Sequence, residues 1–231
     1  MYLSTLDEWL SWIAKVHSTE IELGLDRIKV VGARLNVLEP NCTVIIVGGT
    51  NGKGSTVAGI EAIYRAAGYL VGAFTSPILL KHNEQVRING KDASDAKFCD
   101  AFAKVEAARG DIVLTPFEFQ TLAALIIFHD YSLHVLILEV GLGGRLDAVN
   151  IIDADISIVT SIAIDHIEWL GSTREMIGRE KAGIFRPKKP AVCGDNNPPQ
   201  SLVEYAQSIG AEFICQGKDF HYTVQEGTYG F

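Results

Sequence analysis

A chain of 231 residues with 20 Lys and Arg against 28 Asp and Glu carries a formal charge of −8, which excludes a nonspecific grip on nucleic acid, since that grip needs surplus cations to displace counterions from phosphates. With 48% hydrophobic and 21% charged residues and no repeat or low-complexity stretch, the composition is that of an ordinary globular protein rather than a disordered one. The four cysteines, Cys42, Cys99, Cys193 and Cys215, form no CxxC pair and no zinc-ligand spacing, so neither a disulfide framework nor a zinc site is expected, and a reducing cytoplasm fits.

The opening segment MYLSTLDEWLSWIAKVHS lacks a basic leader and places Asp7 and Glu8 inside its apolar pattern, so it reads as an amphipathic helix and not as a secretory signal. No apolar run approaches the roughly 20 residues needed to cross a bilayer, and a soluble protein without a membrane partner is expected. Leu25, Ile28, Val31, Leu35 and Leu38 recur at helical spacing up to Pro40 and predict a second helix. The run TVIIV (43–47) is short, β-branched and apolar on both faces, as a buried parallel strand is.

The theme repeats in LVGAF (70–74), HVLILEV (134–140), DISIVTSI (155–162) and PAVC (190–193). Between these runs, helical patterns cover 95–109, 117–131, a segment opening at Ser172 with Glu175 as its capping-box partner, and 199–209. The fold class is therefore α/β, a mostly parallel sheet flanked by helices. The segment QVRINGKD (85–92) holds the turn pair Asn89-Gly90 and predicts a small hairpin outside the main sheet. After FICQ the chain ends in FHYTVQEGTYGF without a capped closing helix, which reads as a cut end.

The strand 43–47 runs into GGTNGKGST (48–56), which opens a helix. Glycines, a lysine and hydroxyls at a helix start are the parts that wrap phosphates: backbone N–H groups point inward, the helix dipole favours the anion, and Lys53 neutralises charge. Ser55 and Thr56 could face a magnesium ion. The pattern departs from strict GxxxxGK[ST], because three residues separate Gly48 from Gly52 and Gly54 intervenes between Lys53 and Ser55; the competing reading is a glycine-rich turn with an incidental lysine.

Glu139 closes the apolar run 134–140, where ligands collect in open parallel sheets. A carboxylate there is costly to bury without a partner, and magnesium would be one; the bland reading is a carboxylate emerging into water. The GLGGRLDAVN stretch that follows reads as a flexible loop whose Arg145 and Asp147 could contact substrate. His166 follows the run 155–162 and is either a metal ligand or a hydrogen-bonded structural histidine. Ser76 is a turn former by itself, and Lys181 reads as one charge on a solvated helix face.

Taken together, GTNGKGS, SPILLKHNEQVRING, TPFEFQTLAALIIF, ILEVGLGGRLDAVN, TSIAIDHIEWLG and GREKAGIFR resemble the bifunctional dihydrofolate synthase/folylpolyglutamate synthase family of the Mur ligase superfamily. The resemblance covers nearly the whole chain, fading after about Arg186. It implies a phosphate-loop, Mur ligase-type ATPase domain over 1–231 and a reaction that uses ATP and Mg2+. The carboxylate of dihydropteroate, or of a folate glutamate tail, would be phosphorylated, and the amine of L-glutamate would then displace phosphate.

Carried over by motif, Gly52, Lys53, Gly54 and Ser55 would hold the ATP phosphates, and Ser76, Glu139 and His166 would ligate magnesium. Lys181 matches a lysine that is carbamylated (N6-carboxylysine) in the family. Dihydropteroate contacts would come from Glu22, Leu23, Gly24 and Leu25, from Thr115, Pro116, Phe117 and Glu118, and from Leu146, Asp147 and Ala148. Family members continue into an asparagine-bearing adenine-side motif and a C-terminal glutamate-side domain, absent here, so the expectation is an incomplete domain, inactive alone and monomeric.

A peptidoglycan Mur ligase is the nearest rival, but only about forty residues precede the phosphate loop, too few for a nucleotide-sugar domain. A nucleotide-binding switch, a kinase and a simple NTPase are the readings from other classes.

Overall fold

The computed structural model describes residues 3–16, 21–225 and 228–230. The first predicted helix is present as α1 (Leu6–Val16), and its predicted outer ends at residues 1–2 and 17–18 lie outside the described residues, as do 226–227 and 231 of the predicted tail. The second helix, α2 (Asp26–Leu35), stops before Leu38, because Asn36 turns left-handed (φ 55°) and its N–H bonds Ala33 O and Gly32 O. Leu38 folds back over Gly32, where an added Cβ would meet its Cδ2 at 2.5 Å.

The strands β1 (Thr43–Gly48), β2 (Val71–Phe74), β5 (Val135–Glu139), β6 (Ile156–Val159), β7 (Pro190–Cys193) and β8 (Glu212–Cys215) are all mutually parallel. The hairpin strands β3 (Val86–Ile88) and β4 (Lys91–Asp92) complete an eight-stranded order β4-β3-β2-β5-β1-β6-β7-β8. The hairpin thus belongs to the main sheet, contrary to the expectation from its sequence. The free edge of β2 supplies the reason: β3 pairs with it antiparallel, Gly72 opposite Ile88 and Phe74 opposite Val86, and satisfies an edge that would otherwise stand open. A separate antiparallel pair, β9 (Thr223–Gln225) with β10 (Thr228–Gly230), follows the sheet.

Alternation along β1 divides the core in two. Ile45 and Val47 face α3 (Lys53–Ala66), packing with Val57, Val71, Ala73, Val135 and Ile137. Val44 and Ile46 face the larger cluster, with α1, α2, α4 (Asp95–Arg109) and α5 (Pro116–His129). Helix α5 is apolar nearly all round and buried from Phe119 through Phe128 save Gln120, as a helix enclosed by others must be. It starts at Pro116 rather than Phe117 because Thr115 and Glu118 form a capping box, the Thr115 hydroxyl accepting from Glu118 N and the Glu118 carboxylate from Thr115 N.

Two short helices follow β6. Helix α6 (Ile167–Leu170) precedes α7 (Arg174–Ala182), and the latter is capped by Thr173, whose Oγ1 accepts from Met176 N, and not by Ser172. Glu175 does not close a capping box there: its carboxylate accepts from Gln200 N and Ser201 N and so caps α8 (Gln200–Ser208) instead. The unpaired N–H groups at the start of α8 take the carboxylate because α7 and α8 lie side by side.

Candidate functional site

The chain leaves β1 at the centre of the sheet, returns to its left in β2 and β5, and crosses to its right in β6, so the carboxyl ends of β1, β5 and β6 form the crevice where open α/β sheets hold ligands. The glycine loop after β1 lies there. Gly49 (φ 138°) and Gly52 (φ 84°) adopt conformations that favour glycine, and a Cβ on Gly49 would stand 1.9 Å from Thr160 Oγ1. The loop is tied to the segment after β6: Thr50 N–H donates to Ser161 O at 2.7 Å, Thr160 Oγ1 donates to Asn51 O at 2.7 Å, and Ala163 N–H donates to Thr50 Oγ1 at 3.1 Å. Thr160 and Ser161 open the TSIAIDHIEWLG motif, but their part in holding the glycine loop is revealed only by this long-range pairing.

Helix α3 begins at Lys53, within the GGTNGKGST segment, which aims its first N–H groups at the loop. Lys53 Nζ donates to the carbonyls of Gly49 and Thr50, each at 3.2 Å. Opposite, Glu139 is buried at the end of β5, where Oε2 accepts from Ser76 N–H at 3.2 Å. Burial raises its carboxyl above the ordinary value, opposed by the Ser76 bond and by the charges of Lys53 and Arg87. A Cβ on Gly54 would lie 3.8 Å from both Glu139 oxygens, so the loop and the carboxylate face each other. Gly52, Lys53, Gly54, Ser55, Ser76 and Glu139 share one open cleft of about 1010 Å3. Behind it, Arg87 on β3 donates to Glu61 Oε2 from Nε (3.1 Å) and Nη2 (2.9 Å), an ion pair that the sequence did not announce.

His166 and Lys181 lie with Lys53, Thr50 and Asp165 around a smaller adjoining cavity of about 40 Å3. His166 has φ 48°, stands half exposed, and has its Nε2 3.7 Å from Asp165 Oδ2. Ser76 and Glu139 line the large cleft and His166 the small one, with Lys53 common to both. Among the described residues no cluster of three or more His, Cys, Asp or Glu could hold a metal, so a cation bound here would draw on Glu139, the Ser76 hydroxyl and the single imidazole of His166, with phosphate and water completing its shell. That oxygen-rich set fits magnesium, which keeps much of its water shell.

Lys181 is 3% exposed, not a solvated charge. Burial first, and Lys53 second, lower its amine to a pKa of about 8, with Asp165 and Asp147 opposing. Among the described residues no carboxylate forms an ion pair with it.

A third cleft, of about 590 Å3, gathers Glu22, Leu23, Gly24, Thr115, Pro116, Phe117, Glu118, Leu146, Asp147 and Ala148, three separated stretches that the motif comparison had assigned to one ligand. Leu25 is not among its lining residues; it packs against the core beside the start of α2. The GLGGRLDAVN segment is pinned, not flexible. Asp147 accepts from Leu142 N (2.7 Å) and Val149 N (3.0 Å), with burial pushing its pKa up to about 6, and Arg145 pairs with Glu180 at 2.9 Å. The cleft meets the phosphate cleft at Ser76 and Pro77 and the smaller cavity at Gly141 and Leu142. Arg27 Nε donates to Glu118 Oε2 at 2.8 Å and joins α2 to α5 beneath it.

Fold and site together define a phosphate-loop α/β domain with a second ligand cleft beside its phosphate site. The Mur ligase middle domain model matches residues 47–227, and the chain belongs to that family. It is 50% identical over 228 residues to the dihydrofolate synthase/folylpolyglutamate synthase of Escherichia coli K12, covering 99% of this chain and 54% of that protein. A solved structure of E. coli FolC in complex with DHPP and ADP superposes with a TM-score of 0.96 at 50% identity, covering 98% of this chain and 55% of that one. The Yersinia pestis folylpolyglutamate synthase/dihydrofolate synthase complexed with AMPPNP and Mn ion gives 0.93 at 50% identity, covering 98% and 55%. The chain spans about half the length of the curated relatives it matches.

Proposed function

We propose that this chain provides the ATP, magnesium and acceptor-substrate sites of a ligase that joins L-glutamate to dihydropteroate, forming dihydrofolate, and to the glutamate tail of folates. The observation that carries the proposal is the junction of two clefts at Ser76 and Pro77, one walled by the glycine loop and the other by the three stretches around Phe117. A substrate seated in the second cleft can present a carboxylate to a phosphoryl group seated in the first.

In the proposed reaction, a substrate carboxylate oxygen attacks the γ-phosphorus of ATP, a P–O bond forms, the bond to the β-phosphate oxygen breaks, and ADP leaves. The amine of glutamate then attacks the acyl carbon, loses a proton, and expels phosphate to leave the amide. Both steps are governed by position and charge rather than by a protein nucleophile. The N–H groups at the start of α3, with Gly52, Gly54 and Ser55, orient the phosphates, and Lys53 offsets their charge in place of its present carbonyl partners. Glu139, Ser76 and His166 would hold magnesium, which when bound neutralises phosphate charge.

Lys181 supplies a further anion in this proposal. Its buried amine, with a pKa lowered to about 8, is partly neutral near pH 7 and can add to carbon dioxide, giving a carbamate and releasing one proton. The product carries oxygen donors suited to a hard cation, which the ammonium lacks.

A cytoplasmic location is part of the same proposal. All four cysteines are free, including Cys193 and Cys215, which stand directly opposite each other on β7 and β8. Among the described residues no helix is long and apolar enough to cross a membrane.

The test is phosphate release from ATP by a protein containing this chain, with dihydropteroate and L-glutamate added singly and together. Release that requires both, with dihydrofolate as product, supports the reading; release indifferent to dihydropteroate defeats it.

A further inference from the structure

The chain leaves β2 in a turn over residues 75–81, and the N–H of Ser76 links that turn to Glu139. Arg87 on β3 stands opposite Ala73 of β2, which puts its side chain on the sheet face that α3 covers. From there its guanidinium joins three segments. Nε and Nη2 donate to Glu61 Oε2 on α3 at 3.1 and 2.9 Å, while Nη1 donates to Thr75 Oγ1 and to Glu84 O, each at 3.2 Å. Thr75 is the residue before Ser76. Glu84, in the 3-10 turn His82–Gln85, holds the far end of the same turn, its carboxylate accepting from the N–H groups of Leu79, Leu80 and Lys81.

Glu61 is buried and bonded through Oε2 alone. A counter-charge for it requires only a cation, and a lysine would serve. The rigid guanidinium fork does more, because its donors point in fixed directions and so set the distance and angle between the groups that they join. One of those groups sits on the helix that opens at the glycine loop, the other two on the segment that presents Ser76. Glu61, Thr75, Ser76, Glu84 and Arg87 line the same cleft as Gly52, Lys53 and Glu139.

We propose that Arg87 is a positioning residue: acting through Thr75 and Glu84, it sets the Ser76 turn against the glycine-loop helix and so places Ser76 beside Glu139 for a divalent cation. This rests on the proposed function, under which Ser76 and Glu139 hold that cation. Outer partners of metal ligands work in this way, orienting donors without touching the metal, and their loss lowers metal affinity about 10- to 100-fold.

The experiment measures Mn2+ binding, through the electron paramagnetic resonance signal of the free ion, to the full-length protein containing this chain, saturated with a nonhydrolysable ATP analogue. Removing the Arg87 charge outright would leave a buried carboxylate uncompensated and destabilise the fold, so two gentler variants are used. Arg87→Lys keeps a cation beside Glu61 but cannot also hold Thr75 and Glu84. Thr75→Val keeps the shape of the side chain and the ion pair and removes the acceptor next to Ser76. Each is expected to weaken Mn2+ binding about tenfold and to raise the magnesium needed for half-maximal phosphate release in step. Affinity for the analogue without metal should stay within about twofold of wild type, because the loop amides and Lys53 are untouched. The double variant should bind Mn2+ no worse than Arg87→Lys, since both substitutions break one link. Mn2+ binding within about twofold of wild type in either variant, an equal loss of metal-free analogue binding, or losses that add in full in the double variant would each show a structural ion pair and overturn the inference while the function stands. If Arg87→Lys melts early, Thr75→Val decides alone by the first two criteria. Wild type that binds no Mn2+ beside the analogue defeats the functional reading and this inference with it.

Discussion

The backbone N–H of Ser76 donates to Oε2 of Glu139 at 3.2 Å, so the turn after β2 and the last residue of β5 form one unit at the carboxyl edge of the sheet. The bond consumes one lone pair of a buried carboxylate and aims the rest of the group at the glycine loop, whose Gly54 lies directly opposite. Every residue that the resemblance assigns to phosphate or metal lines one of the two neighbouring cavities, whereas Thr56 lines neither and its hydroxyl donates to Gly52 O at 2.8 Å.

Glu139→Gln keeps the size of the side chain and an acceptor for Ser76 but removes the charge. Magnesium-dependent turnover is expected to fall about a hundredfold or more with the melting temperature little changed. Steady-state kinetics across a magnesium titration, with a thermal melt alongside, check it; near-native activity with a normal magnesium requirement would remove Glu139 from the metal site.

Lys53→Ala deletes the cation of the glycine loop while leaving its backbone amides. ATP affinity should weaken roughly tenfold or more and phosphoryl transfer should slow. Nucleotide titration and single-turnover phosphate release separate the two effects, and an unchanged ATP dependence contradicts the assignment.

Lys181→Ala should lower ligation about a hundredfold, and formate or acetate should restore part of it by occupying the vacated oxygen positions. Mass spectrometry of the native protein in bicarbonate should find the added 44 Da of carbon dioxide, a roughly estimated mass signature of a carbamate. A structural lysine would give no carboxylate rescue.

His82 makes stability depend on pH in a defined direction. Its ring packs 4.8 Å from Phe98 and 6.0 Å from Phe102, neither nitrogen has a partner, and burial lowers its pKa from 6.5 to about 4. Its contribution is fully present above pH 6.5 and is lost as the pH falls through about 4, in total about 3 kcal/mol at roughly 1.4 kcal/mol per pH unit. Asp147 runs the opposite way: burial raises it from 3.8 to about 6, so its contribution is present below 3.8 and lost as the pH rises through about 6. Chemical denaturation of wild type and His82→Leu at several pH values isolates the histidine, because Asp147 is common to both. The variant should gain on wild type by about 3 kcal/mol between pH 7 and pH 4; a constant difference would show that His82 is not the acid-sensitive group.

The amino-acid sequence by itself determined the parallel strands, the glycine loop after the central one, and the carboxylate at the end of Glu139's strand. These are legible because a doubly covered strand must be apolar on both faces and a phosphate loop must join a strand to a helix within a few residues, so each leaves a local pattern. Pairings across the chain leave none. The hairpin of Val86–Ile88 and Lys91–Asp92 joins the main sheet because β2 offers an open edge, and Glu175 caps α8 because that helix start lies within reach. Lys181 is buried because the loop before Asp147 closes over α7, with Arg145 N–H bonded to Glu180 O at 2.8 Å and Gly144 so close that a Cβ on it would stand 3.1 Å from Lys181 Cα. Gln85 and Glu118, 33 positions apart in the chain and on different elements, come to line one cleft only in the folded chain. Periodicity reports which face of an element is apolar; which other element covers that face, and hence which polar groups are left together without water, is decided by tertiary packing.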